Sequence, residues 1–180
     1  MADTVPLAIF DIDDTMRRGD SIAALIRYAR RHGRIRLWQL PRILLVTLLY
    51  LVGVLHENYA KASALHFMKG MPLAEQEAFF SAFAHDVLLP QIYPEARAEI
   101  EMHAAQGLAV LVVSASPDCY MRYLSPALPV AAILAKPVDA DGNVGANCKG
   151  AEKLKRIEAC AQAQGVAIDW ENSHGYGDSV

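Results

Sequence analysis

The chain has 180 residues, which at roughly 100 to 200 residues per domain means one domain, or one domain carrying an insertion. Burial on the order of 70% of the unfolded surface is within reach at this length, so no disulfide or metal staple is needed. Seventeen Lys and Arg against 20 Asp and Glu give a net charge of −3 and argue against a nucleic-acid binder driven by bulk charge; a hydrophobic share of 53%, much of it alanine, excludes disorder and makes a polytopic membrane protein a poor expectation.

Val5 to Asp11 is a short apolar run ending in acid, and Leu108 to Val113 is another ending at Ser114. Unbroken runs of this length suit strands buried on both faces of a parallel sheet. Between them, Ser21 to His32 carries Ile22, Leu25, Ile26 and Ala29 at helical spacing, with Asp20 or Ser21 as cap and Gly33 as stop. Ile43 to Leu55 is the most apolar stretch, expected as a helix buried in its own layer or lying in a membrane interface. Thirteen residues make a helix of about 20 Å, short of a hydrocarbon core of roughly 30 Å. Further helices are predicted near 57–69, stopped by Gly70, and near 72–89, where Phe79, Phe80 and Phe83 read as core. Pro94 to Gln106 makes another, with Gly107 behind it. After the second strand, Ser116 reads as a cap with Pro117 opening a helix. Val130 to Ala135 is a third strand, Asp139 to Asn143 a turn, Gly150 to Gln164 an amphipathic helix, and Ser173 to Gly177 leads into Asp178.

Strands alternating with helices give an α/β class. The all-helical stretch over 17–92 reads as a helical cap inserted into a Rossmann-like core made of 1–16 and 93–180. Cys119, Cys148 and Cys160 form no CxxC pair, and Met1 to Thr4 shows no basic start or cleavage site, so a reducing cytoplasmic setting is expected. The six histidines show no ligand spacing. One asymmetry stands out: between Arg17 and Arg42 eight arginines face a single acid, Asp20, a local +7 that leaves −10 on the rest. It reads either as a solvated helix face or as a surface that meets anionic lipid or another polyanion.

Carboxyl ends of parallel strands form the ligand crevice of open α/β sheets. Gathered there are Asp11, Asp13, Asp14 and Thr15, then Ser114, Ala115 and Ser116, then Gly177 and Asp178, with Lys149 and Lys153 opening the helix between. Aspartates just past a strand also serve as turn formers and caps; the added serine, lysine and Gly-Asp, in this order, point to chemistry.

Asp11-x-Asp13-x-Thr15, a strand ending at Ser114, a lysine opening a helix and Tyr176-Gly177-Asp178-Ser179 resemble the four motifs of haloacid dehalogenase-like phosphatases over nearly the whole chain. The long helical insertion, Val113 to Pro117 and Asn147 to Lys153 are similar to subfamily IB, which holds phosphoserine phosphatases and class C phosphatidylglycerophosphate phosphatases. The resemblance implies Asp11 as nucleophile forming an aspartyl phosphate, Asp13 as acid and then base, and Mg²⁺ on Asp11, the Asp13 main-chain carbonyl and Asp178. Ser114 and Ala115 would seat phosphate, Thr15 would hold the first turn and reach phosphate, and a lysine would neutralise the phosphoryl group. Lys153 keeps the subgroup's spacing, with Lys149 as rival.

Two positions depart from the pattern. Asp14 stands where glycine is commoner, adding a third acid whose repulsion calls for a metal. Asp20 stands where phosphoserine phosphatases carry a glutamate that contacts the substrate amine; its shorter carboxylate reads equally well as a helix cap. Three readings follow: a phosphatase of a small soluble phosphate ester such as phosphoserine, the same chemistry on a phospholipid head group at the membrane surface, and a truncated, catalytically weak phosphate-binding remnant. The third arises because the sequence stops two residues after Asp178, where the pattern asks for another acid.

Overall fold

A computed structural model describes residues 4–146, 148 and 150–177. The N-terminal apolar run forms β1 (Thr4–Phe10), and the chain leaves it for a layer of helices: α1 (Ser21–Arg31), α2 (Leu40–Leu51), α3 (Glu57–Leu65) and α4 (Leu73–Phe83), the last prolonged by a π turn and a 3₁₀ turn to Gln91. It returns through α5 (Pro94–Ala105) to β2 (Ala109–Pro117), then α6 (Asp118–Met121), β3 (Ala132–Lys136), α7 (Ala151–Ala163) and β4 (Ala167–Tyr176). All four strands are parallel, in the order β3-β2-β1-β4.

The strand sequences explain the layering. Leu7, Leu111 and Val113 point to one face and pack with Ile157 of α7. Ala8, Phe10, Val110 and Val112 point to the other and join Ile100 of α5 and Tyr120 of α6. Alternate residues of β1 and β2 therefore feed two helical layers, which requires apolar residues on both faces of the runs Leu7 to Phe10 and Ala109 to Val113. The second cluster also takes in Phe79, Phe80, Phe83 and Leu25, so the inserted helices share a core with the sheet. Where the chain crosses into and out of the helical layer, the Tyr93 N–H donates to the Met16 carbonyl at 2.8 Å, holding the two crossings side by side.

Three expectations change. β2 runs on through Ser116 to Pro117, with a register shift against β3 after Val113, so Ser116 lies in the strand and is no helix cap. β4 begins at Ala167, well before Ser173. The apolar helix is not buried: of α2 only Ile43 is, while Leu44 and Leu51 are 70% and 71% exposed. Apolar residues stay outside when no layer covers them, and on the outer side of α2 none does.

Tyr28 of α1 stacks its ring near Phe79 and Phe83, and its hydroxyl donates to Asp86 at 3.0 Å. Burial, reinforced by the hydrogen bond and charge of Asp86, pushes the phenol up to about 12. A folded-state pKa above the unfolded value near 10 means that this stability is complete below about pH 10 and is lost as pH rises through 12. Denaturant midpoints should therefore fall over that window, and Tyr28→Phe should shrink the fall; an unchanged slope in the variant would contradict it.

Candidate active site

The carboxyl edges of β1 and β2 open onto a cavity of about 520 Å³ whose far wall is built by α1, α2 and α3. Asp11, the first residue past β1, sits on its floor. Its Oδ1 accepts the Ile12 N–H at 2.8 Å, and its Oδ2 accepts from Lys153 Nζ at 2.5 Å. Lys153 reaches it from the first turn of α7, so the strand end and the helix start converge as the spacing predicts.

Asp13 lines the same cavity and is an acceptor for four donors. Oδ1 takes Arg17 Nη1 at 2.9 Å and the Ser21 N–H at 3.0 Å; Oδ2 takes the hydroxyls of Ser21 at 2.8 Å and Ser116 at 2.7 Å. With both serine protons directed at Asp13, the Tyr120 hydroxyl, 2.9 Å from Ser21 Oγ, is left as donor to it. Burial, with the charge of Asp13 adding, pushes the Tyr120 phenol well above its ordinary value, which keeps that proton in place. Serine hydroxyls rotate, so the same pair can donate to an Asp13 carboxylate or accept from its acid form.

Arg17 is the largest departure in this region. The sequence groups it with the solvated arginines, yet it is 2% exposed. Its guanidinium spans Asp13, the Gly19 carbonyl at 2.5 Å and Gln91 Oε1 at 2.7 Å, tying the returning chain at Gln91 to the loop after β1. Arg17→Met should cost roughly 2 kcal/mol in denaturant unfolding, because it removes a buried charged partner of Asp13 and its bonds to Gly19 and Gln91, and Arg17→Lys should recover little, since an ammonium cannot reproduce the planar fork. A loss under about 0.5 kcal/mol, the level of an ordinary surface change, would contradict that tie.

Ser114 is buried in the cavity wall, and its Oγ accepts the Ser116 N–H at 3.1 Å. Ala115 lines the cavity too, its carbonyl accepting from Lys61 Nζ at 2.7 Å. Asp20 lies at the outer wall with its Oδ1 on the Ala23 N–H at 3.0 Å, the helix-cap arrangement. Asp14 has φ of 56°, a left-handed backbone that explains why glycine is commoner there; its Oδ1 accepts the Gly19 N–H at 2.7 Å and offsets the strain. Thr15 does not line the cavity: its Oγ1 is buried and has no hydrogen-bond partner among the described residues, so the expected reach to phosphate is not seen. Lys149 and Asp178 lie outside the described residues.

Sequence reasoning missed Lys61 and Glu57. They pair along α3 and both line the cavity, and Glu57 is also 3.6 Å from Lys136, a lysine with no exposed surface at the end of β3. An i,i+4 Glu-Lys pair reads as ordinary helix surface; only its position opposite the strand ends marks it. The described lining thus carries five carboxylates (Asp11, Asp13, Asp14, Asp20, Glu57) against two ammonium groups (Lys61, Lys153), with no His or Cys. An oxygen-only, acid-rich set fits a hard divalent cation such as Mg²⁺. Four donors already occupy the Asp13 carboxylate; Asp11 and the Asp13 main-chain oxygen are the ligands that the resemblance of the sequence implies.

A sequence model of the haloacid dehalogenase-like hydrolases matches residues 8–180. A protein of unknown function from Bordetella pertussis Tohama I shares the fold at a TM-score of 0.79 and 22% identity, over 96% of this chain and 81% of that one. A HAD family hydrolase from Salmonella enterica serovar Typhi follows at 0.69 and 18%, over 97% of this chain and 56% of that one. A phosphoserine phosphatase solved as a phospho-aspartyl intermediate analogue superposes at 0.58 with 19% identity, over 96% and 78%. Comparison with curated proteins gives no match. With the family's model covering residues 8–180, the chain belongs to the haloacid dehalogenase-like hydrolase family.

Proposed function

We propose that the protein is a phosphomonoester hydrolase working through an aspartyl phosphate on Asp11. The observation that carries this reading is the Asp11 carboxylate on the cavity floor with the Lys153 ammonium 2.5 Å from its Oδ2. A carboxylate so placed attacks phosphorus, the bond from phosphorus to the ester oxygen breaks, and Asp13 protonates the departing alkoxide. Water then attacks the phosphorus of the aspartyl phosphate and gives its proton to Asp13, so Asp11 is regenerated and inorganic phosphate leaves. Lys153 turns from Asp11 onto the phosphoryl oxygens; Ser114 and Ala115 wall the phosphate seat. Mg²⁺, when bound through Asp11, the Asp13 main-chain oxygen and Asp178, would offset the charge of the transferring group. Losing Lys153 removes a preorganised positive charge, so Lys153→Met should lower kcat about 10²- to 10³-fold; a kcat within about twofold of the parent would reassign the phosphate lysine.

The far wall bears on substrate. Beside the paired Glu57 and Lys61 it presents Ile22, Ala23, Ile26, Ala60 and Ala64, and the one acid at the position expected to meet an amine, Asp20, is spent on capping α1. This favours a leaving group with an apolar body over the free amino acid of phosphoserine, and so lends support to the second reading, a lipid head-group phosphate. The test is a screen at millimolar Mg²⁺ with p-nitrophenyl phosphate, phosphoserine and a lysophospholipid phosphate. Turnover of the first, with kcat/KM for the lipid above that for phosphoserine, is expected; no turnover of any ester would overturn the phosphatase reading, and preference for phosphoserine would overturn the lipid one.

A further inference from the structure

α2 has two faces with different fates. Ile43 is buried, and Thr47 and Tyr50 line the catalytic cavity. Leu44, Leu45, Leu48 and Leu51 recur on the opposite stripe and are between 54% and 71% exposed. Leu37 and Trp38 before the helix, and Val52 and Val54 after it, are more than 60% exposed as well. Scattered apolar side chains on a surface need no explanation; a continuous helical stripe of leucines does.

The chain leading into α2 is rich in arginine. Arg30, Arg31, Arg36 and Arg42 are exposed with no carboxylate partner among the described residues; Arg34 alone pairs, with Glu75. On the flank of α2 a second cavity, of about 310 Å³, lies between α2, α3 and the 139–143 turn. Arg42, His66 and Lys69 line it, and their side chains have no ion-pair partner among the described residues; Asp141 is the single acid in its lining. Among the described residues no helix is long and apolar enough to cross a membrane. At 12 residues α2 spans about 18 Å, well short of a hydrocarbon core.

We propose that this face of the helical layer seats on an anionic lipid bilayer: α2 lies in the plane of the interface with its leucine stripe among the acyl chains, and the Arg42–His66–Lys69 pocket holds the phosphate of one lipid head group. An apolar stripe between cationic flanks is the pattern of an in-plane helix, and its binding combines apolar burial with attraction to negative lipid. The surface is separate from the chemistry at Asp11 and does not rest on the phosphatase reading.

The test is flotation of the full chain with phosphatidylcholine vesicles, with and without phosphatidylglycerol. Binding should be at least about tenfold stronger to the anionic vesicles and should weaken as salt rises. The double variant Leu44→Glu, Leu48→Glu should lose at least about tenfold with an unchanged circular dichroism spectrum, since both positions are exposed. Arg42→Glu with Lys69→Glu should remove the preference for phosphatidylglycerol. Three results would each overturn the proposal: no flotation with anionic vesicles at low salt; inorganic phosphate binding at the pocket without vesicle binding, which would make it a free-anion site; or a dimer in sedimentation that the leucine variants dissolve while vesicles fail to bind, which would give the face to a second copy.

Discussion

Asp11→Asn is expected to lower turnover of p-nitrophenyl phosphate by roughly 10⁴-fold or more, the scale on which losing a covalent nucleophile is felt. The change is isosteric. Asparagine can still accept the Ile12 N–H that fixes Oδ1, so the loop after β1 has no reason to move. What it loses is the second carboxylate oxygen, which receives Lys153 and which must carry the phosphoryl group. Lys153 is 23% exposed and can turn to solvent, so the lost ion pair should cost no more than about 1 kcal/mol of stability. Activity and stability therefore separate in this variant: near-complete loss of kcat with an unfolding midpoint close to the parent. Parent-like turnover would remove Asp11 from the nucleophile's role, and a collapse of stability would make the loss of activity uninformative about it.

Chelation is the second change of comparable size. The described cavity lining carries three more carboxylates than ammonium groups, and a phosphomonoester adds a charge of about −1.5 to −2 at neutral pH. Lys61 and Lys153, even with Arg17 on Asp13 and Lys136 near Glu57, do not balance that sum. EDTA should stop turnover, and Mg²⁺ should restore it, whereas Zn²⁺ should not, because no His or Cys stands among the described lining residues. Among the described residues no three His, Cys, Asp or Glu side chains are grouped to hold a cation by themselves. Substrate phosphate should then complete the coordination, as is usual for Mg²⁺, and the Mg²⁺ needed for half-maximal activity should fall as substrate rises. Full activity in excess EDTA would contradict both the metal and the charge argument.

Residues that act through local pattern were readable from the chain. β1 and β2 are unbroken apolar runs, and the acids and serines that follow them fall at strand ends, so Asp11, Asp13, Ser114 and Lys153 meet as the spacing requires. Asp20 as the cap of α1 was equally legible, because the signal is three residues long. What failed to show was whatever depends on distant parts of the chain. Ser21 donates to Asp13 and is backed by Tyr120 from 99 residues away, and neither carries a motif; Ser116, inside the Val113 to Pro117 motif, reads from sequence as a helix cap and instead donates to Asp13. Arg17 looks like the first of a run of surface arginines, and its long-range partner, Gln91 on the returning chain, carries no local signal. The extension of β2 past Val113 follows from its pairing with β3, which no local propensity encodes. The apolar run of α2 has the composition of a buried helix; which of its sides is covered is settled by the neighbours it lacks.

The account stands on a phosphoryl group passing through Asp11, and the most direct test is to catch it there. Rapid acid quench during turnover with a saturating phosphomonoester, followed by borohydride, which reduces an acyl phosphate to the alcohol, should mark one peptide at one residue. The mark should fall on Asp11, approach one per active site when release is slowed, and vanish in Asp11→Asn. A mark on Asp13 or Asp14, or turnover at the parent rate with no mark on any carboxylate, would contradict it.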